Sequence, residues 1–200
     1  MPDARPAASP GAAPRGHAPR WFDARARALP LWIGIAVLVV LLDQASKYAI
    51  LARFDEGEQL PVIPGWFNLT LWYNPGAAFS FLAGHDGWQR WFFTGIALVA
   101  SVFILTLLVR HWYQGLFCGA LALILGGALG NLVDRLEHGK VVDFLLFYRG
   151  GWSFPAFNLA DSAITLGAAL LILDELLRMR RSRREARADD PSTTNQGANQ

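Results

Sequence analysis

Hydrophobic positions along the chain fall into long blocks separated by short polar stretches. Trp91 to Val109 ("WFFTGIALVASVFILTLLV") and Gly115 to Val133 ("GLFCGALALILGGALGNLV") carry no charge, and each is long enough to cross a bilayer as a helix. Leu31 to Ala52, with Asp43 and Lys47 inside it, and Asn158 to Leu177, which opens on Asn158 and Asp161, reach spanning length if those polar groups are accommodated. The pattern predicts four transmembrane helices. Between the first two, Phe67, Leu69, Leu71 and Tyr73 alternate with Asn68, Thr70, Trp72 and Asn74. That period of two reads as a strand with one apolar face. Pro61, Pro64 and Gly65 precede it and "NPG" at 74 to 76 ends it, which are turn residues. The expected fold is a mainly α membrane protein with a small extracytoplasmic antiparallel β-sheet.

Charge supplies the orientation. Arginines gather in the N-terminal arm (Arg5, Arg15, Arg20, Arg25, Arg27), at Arg110 between spans two and three, and in the C-terminal tail (Arg178, Arg180, Arg181, Arg183, Arg184, Arg187). Four spans put all three groups on one side, which the excess of positive charge marks as cytoplasmic. The pI near 9.0 is thereby explained without nucleic acid, since the basic residues lack interleaved aromatics for base stacking. Residues 1–28 and 181–200 read as disordered tails around a membrane domain at 29–180. A basic arm before an apolar run also resembles a signal peptide, but no small-residue cleavage site follows and the helix continues through Asp43. The single cysteine, Cys118, excludes an internal disulfide and reads as a small apolar residue in a Gly/Ala-rich helix.

With both termini inside, residues 53–90 and 134–157 face outward. Trp66, Trp72, Trp88, Trp91 and Trp152 then sit at headgroup depth, where amphipathic rings are common. The one internal repeat is "FNL" at 67–69 and 157–159, too short to indicate an inverted repeat.

An ionisable side chain in a spanning helix costs a few kcal/mol and so requires a partner or a purpose. Asp43 and Lys47 lie at i and i+4 on one helix face, suited either to a mutual salt bridge or to binding substrate. Asn131, Asp134 and Arg135 share a face at the end of span three, and Asn158 and Asp161 share one at the start of span four. Asp143 lies in the connection between them. The topology brings all eight to the outer boundary of the bilayer.

Three chemistries could use such a cluster. His17, His85, His111 and His138 show no helical ligand spacing, which disfavours a metal, although a carboxylate-held divalent ion stays open. Lys47 could activate a serine, but the adjacent Ser46 points to another helix face, so Ser80, Ser153 or Ser162 would have to supply the nucleophile. Two aspartates sharing one proton, Asp143 and Asp161, would make an acid and base pair for peptide hydrolysis. Asp134, beside Arg135 and with Arg149 expected near, reads as a structural carboxylate. A fourth option is a small ion-coupled transporter or channel subunit in which the carboxylates bind cations, although transport favours the midplane over one face.

Five segments narrow the choice: "DQASK" at 43–47, "NPGAAFSFL" at 74–82, "GGALGNLVDR" at 126–135, "GKVVDF" at 139–144 and "FPAFNLADS" at 154–162. In this order they resemble the lipoprotein signal peptidases, the bacterial signal peptidase II family of membrane aspartic proteases. The resemblance implies Asp143 and Asp161 as the catalytic dyad, with Asn74, Asn131, Arg135 and Asn158 binding substrate or ordering the site and Asp43 and Lys47 supporting it. It implies a short surface helix in "GAAFSFL". It implies a substrate prolipoprotein cut N-terminal to a diacylglyceryl-bearing cysteine, at the outer face of the bacterial inner membrane. The expected partners are these prolipoproteins and membrane lipids, with no nucleic acid, metal or cofactor, and the chain is expected to act as a monomer.

Overall fold

The computed structural model describes residues 20–76 and 88–188, with side chains from Ala28 to Gly76 and from Trp88 to Ala186. Its elements run α1 (Arg20–Leu51), β1 (Gln59–Ile63), β2 (Phe67–Asn74), α2 (Trp88–Arg110), α3 (Gly115–Glu137), β3 (Val141–Arg149), β4 (Trp152–Ser153) and α4 (Leu159–Ala188). Ala28–Leu51 of α1, together with α2 and α3, is long and apolar enough to cross a membrane. Helix α4 is comparably long, but its apolar stretch lies between Asp161 and Asp174. Both outer boundaries differ from the expected ones. Arg20–Ala28 and Arg181–Ala188, read from sequence as tails, are helical, in keeping with their Ala, Arg and Glu content. The expected surface helix at "GAAFSFL" and the candidate Ser80 lie outside the described residues.

Helix α3 is the centre of the bundle and packs against α1, α2 and α4. Glycine makes this approach close. A Cβ on Gly126 would lie 2.6 Å from Val39 Cβ and 2.7 Å from the Ala36 carbonyl of α1, and one on Gly127 would collide with the Ala160 carbonyl of α4. Small residues thus line the helix contacts while large apolar ones point outward: Leu41 is 61% exposed, Val99 72% and Phe103 62%. That inside-out distribution suits helices whose solvent is lipid.

The strands form one antiparallel sheet in the order β1-β2-β3-β4. Alternation located β2 correctly, but its polar positions are not its solvent side. Asn68 and Thr70 are buried, because Asn68 Nδ2 donates to Gln59 Oε1 (2.9 Å) and Thr70 Oγ1 to the Glu58 carbonyl (2.7 Å). An irregularity between Leu69 and Trp72 then shifts the register, pairing Trp72 with Asp143 and Tyr73 with Val142. Cross-strand partners share a face, so Asp143 lies with Trp72. Val142 and Phe144 point the other way and pack with Leu71 and Ile50 of α1.

Candidate active site

Three local devices bring the polar residues together. At the end of α3, His138 and Gly139 donate their N–H groups to the carbonyls of Asp134 (2.7 Å) and Arg135 (3.1 Å). Gly139 adopts a φ of 73°, which a residue with a side chain adopts only with strain. The chain thus turns into β3 and carries Asp143 back over the helix end. The Phe157 carbonyl accepts from the N–H groups of Phe144 and Leu145, which fastens the start of α4 to β3. Asn158 then caps α4: its Oδ1 accepts the Asp161 N–H at 2.9 Å, the usual task of an N-cap amide. Asp161 sits in the first turn, where the helix dipole favours an anion.

Asp143 is 2% exposed and is held by amides. Asn74 Nδ2 donates to its Oδ2 (2.9 Å) and Asn158 Nδ2 to its Oδ1 (2.8 Å). Asp161, half-buried, accepts on Oδ1 from Asn131 Nδ2 at 2.7 Å. Asn158 Nδ2 also reaches Asn131 Oδ1 at 3.2 Å, so a chain of two amides links the two carboxylates. Burial pushes the Asp143 carboxyl up to about 7; the charge of Asp161 acts in the same direction, while the Asn74 and Asn158 donors and Lys47 oppose it. A cavity of about 490 Å³ opens beside Asp143, lined by Trp72, Tyr73, Asn74, Leu146, Phe154 and Pro155 among others.

Behind this pair lies a second cluster. Lys47 Nζ bonds Asp43 Oδ2 (2.7 Å), Asp134 Oδ2 (2.8 Å) and Asn131 Oδ1 (3.1 Å). Its two carboxylates are tied down further: Asp43 Oδ1 accepts the Ala160 N–H (2.9 Å) and Asp134 Oδ2 the Val142 N–H (2.9 Å). A Cβ on Gly130 would stand 2.6 Å from Asp43 Oδ2, so glycine is what lets the ion pair approach α3.

The eight charged and amide residues at 43, 47, 131, 134, 135, 143, 158 and 161 converge, and Asn74 joins them. Asp43 and Lys47 form the buried salt bridge, one of the two roles open to them. Asp134 is a paired carboxylate as expected, but its cation is Lys47. Arg149 stacks on Trp66 instead, 3.9 Å from the ring centroid, and Arg135 donates to the Asn131 carbonyl (3.2 Å) and lies over Phe93. Sequence reasoning gave no role to Gln44, whose Nε2 donates to Asp134 Oδ1 (2.8 Å) and the Gly130 carbonyl (3.1 Å). Its place inside "DQASK" was the available signal. Ser46 Oγ donates to the Asp43 carbonyl and Ser162 Oγ to the Asn158 carbonyl, and among the described residues no serine hydrogen-bonds to Lys47. Cys118 is buried away from this site, with Sγ on the His111 carbonyl.

The sequence profile of the family described as Signal peptidase (SPase) II matches residues 35–177. The chain belongs to the signal peptidase II family. The transport reading falls with that membership. The lipoprotein signal peptidase of Ralstonia nicotianae is 61% identical over 150 residues, covering 75% of this chain and 86% of the relative. That of Cupriavidus taiwanensis is 60% identical over 151 residues, 76% and 85% of the two chains. Among solved structures, a bacterial membrane enzyme determined by the in meso method superimposes with a TM-score of 0.66 at 37% identity, over 73% of this chain and 92% of that one. Signal peptidase II enzymes are aspartic peptidases, so the carboxylates are where the chemistry of this chain is to be sought.

Proposed function

We propose that the chain is an endopeptidase that removes signal peptides from diacylglyceryl-modified prolipoproteins, cutting N-terminal to the lipidated cysteine, with Asp143 and Asp161 as its catalytic pair. The observation that carries this reading is the link Asp143–Asn158–Asn131–Asp161, made of neutral amides. Two carboxylates coupled in this way and close enough for one charge to oppose the other do not ionise together readily. The pair then holds one proton: the ionised member takes a proton from water while the protonated member hydrogen-bonds the scissile carbonyl. Asn74 and Asn158 hold Asp143, Asn131 holds Asp161, and Asp43, Lys47 and Asp134 order the ground beneath them. Arg135 is assigned to the substrate backbone, and the cavity beside Asp143 to the segment around the cleaved bond.

In this reading α4 is a fourth span, both termini are cytoplasmic, and the site opens at the outer face of the bacterial inner membrane. Residues 29–180 form the peptidase domain, acting as a monomer among membrane lipids. Arginines beside the helix ends, Arg110 and Arg178 onward, support that orientation. The test is cleavage of a diacylglyceryl-modified prolipoprotein by the purified full chain in detergent, with the new N-terminus sequenced. The reading requires a cut before the lipidated cysteine that Asp143→Asn and Asp161→Asn each abolish while remaining folded. Near-parental turnover in either folded variant removes the dyad.

A further inference from the structure

Lys47 is 1% exposed and its ammonium has three hydrogens and no acceptor. Asp43 Oδ2 and Asp134 Oδ2 take two of them, and the third goes to Asn131 Oδ1. An amide presents oxygen on one side and NH₂ on the other, so a donor that cannot accept dictates which way the amide faces. With its oxygen turned to Lys47, Asn131 can only turn its NH₂ to Asp161 Oδ1, 2.7 Å away.

The other two amides are locked by the same logic. The backbone N–H of Asp161 claims Asn158 Oδ1, so Asn158 presents NH₂ to Asp143 Oδ1. The backbone N–H of Gly76 claims Asn74 Oδ1 at 2.9 Å, so Asn74 presents NH₂ to Asp143 Oδ2. Both oxygens of Asp143 and one of Asp161 are therefore committed as acceptors. Of the four oxygens of Asp143 and Asp161, only Asp161 Oδ2 receives no hydrogen bond from the described residues.

We propose that Lys47 is a positioning residue for the dyad: through the Asn131 amide it commits Asp161 Oδ1 as an acceptor and leaves Oδ2 as the oxygen that carries the pair's proton. The proposal rests on the dyad reading above and deepens it by assigning the roles. Asp143 is the base. Its carboxylate takes a proton from water as the water oxygen bonds to the scissile carbon, and the carbonyl π pair, moving onto oxygen, takes the proton from Asp161 Oδ2. In the reverse relay Asp143 returns its proton to the amide nitrogen, the C–N bond breaks, and the diol hydroxyl gives its proton back to Asp161. Each aspartate ends as it began.

Asn131 is the place to test this without disturbing the lysine's two ion pairs. Asn131→Asp still offers Lys47 an oxygen but turns only oxygen toward Asp161, whereas Asn131→Leu offers neither. If Asn131 acts only to satisfy Lys47, Asn131→Asp restores activity that Asn131→Leu loses. The proposal expects both folded variants to lose about 10- to 100-fold in kcat with KM within about twofold, as for a small misorientation of a reacting group. It further expects Lys47→Met to add no loss of kcat in the Asn131→Leu background, because one path serves both residues. Parental kcat in Asn131→Asp overturns the proposal, and so do multiplicative losses in the double variant. Where Lys47→Met does not fold, the two Asn131 variants decide alone. Asp161→Asn run alongside separates the failures: if it retains turnover the dyad itself is wrong, and if it is inactive while Asn131→Asp is active only the positioning role is lost.

Discussion

Asp43 and Asp134 meet a lysine; Asp143 and Asp161 meet amides. The two clusters adjoin, sharing Asn131 as a common wall, and both are largely withdrawn from solvent. In the first, one cation bridges the two carboxylates and backbone N–H groups from β3 and α4 complete them. Such carboxylates fasten α1, α3, α4 and the sheet to one another, and the lysine between them fills the place a bound cation would need. In the second, neutral donors fix the direction of the carboxylates without cancelling their charge, which leaves them able to exchange protons. In the proposed reading the partner, more than the residue type or depth, separates a structural aspartate from a chemical one.

The largest expected effect falls on the second cluster alone. Asp143→Asn and Asp161→Asn should each lower turnover by roughly 10³-fold or more, the scale of a lost general acid or base, with little change in melting temperature. Asp134→Ala should show the reverse balance. It takes one of the two carboxylates from Lys47, one acceptor from Gln44 and the carboxylate acceptor of the Val142 N–H, so unfolding should become easier by about 1–3 kcal/mol, measured by thermal unfolding in detergent. Turnover per folded molecule should fall far less than in the dyad variants.

The raised Asp143 carboxyl sharpens the contrast through pH. Because the pair works with one proton, losing it near 7 should lower kcat/KM as pH rises through that value, by about tenfold per unit above it. Stability should move in the same direction. A carboxyl raised in the folded state contributes stability fully below its ordinary value and loses it as pH rises through about 7. That part of the alkaline decline in melting temperature should be missing from Asp143→Asn.

The smallest effect separates two neighbouring glycines. Gly126→Ala presses on α1 and Gly127→Ala on the Ala160 carbonyl in the first turn of α4, each costing about 1–3 kcal/mol of overpacking. Because Asp161 follows Ala160 directly, only Gly127→Ala should also lower kcat in the folded fraction.

Much of the placement of these residues was legible in the sequence, and the gaps have a common cause. Periodicity located β2 and the apolar spans, and the spacing of Asn131 with Asp134 and of Asn158 with Asp161 put the right groups on the right faces. What was missed depended on partners distant along the chain. Asp134 was assigned the nearby Arg135 and Arg149, yet Lys47 reaches it only because Gly126 and Gly130 let α1 close on α3. Gln44 looks ordinary beside an ion pair until that packing exists. The cover over the polar side of β2 was not legible, because nothing local announces that Glu58 and Gln59 fold over it. The helical ends of α1 and α4 were read as tails because charge-rich, alanine-rich sequence serves equally in a solvated helix.

The signal-peptide alternative for the first span is answered by the same packing. Asp43, Gln44 and Lys47 are contributed by α1, and removing that helix would take Lys47 from both Asp134 and Asn131.

The most direct measurement is turnover of a diacylglyceryl-modified prolipoprotein, per folded molecule, by the four variants Asp43→Asn, Asp134→Asn, Asp143→Asn and Asp161→Asn. The account predicts that the last two fold and are inactive, while the first two are less stable and retain turnover in whatever fraction folds. Turnover surviving in Asp143→Asn or Asp161→Asn, or vanishing from fully folded Asp43→Asn and Asp134→Asn alike, would contradict it.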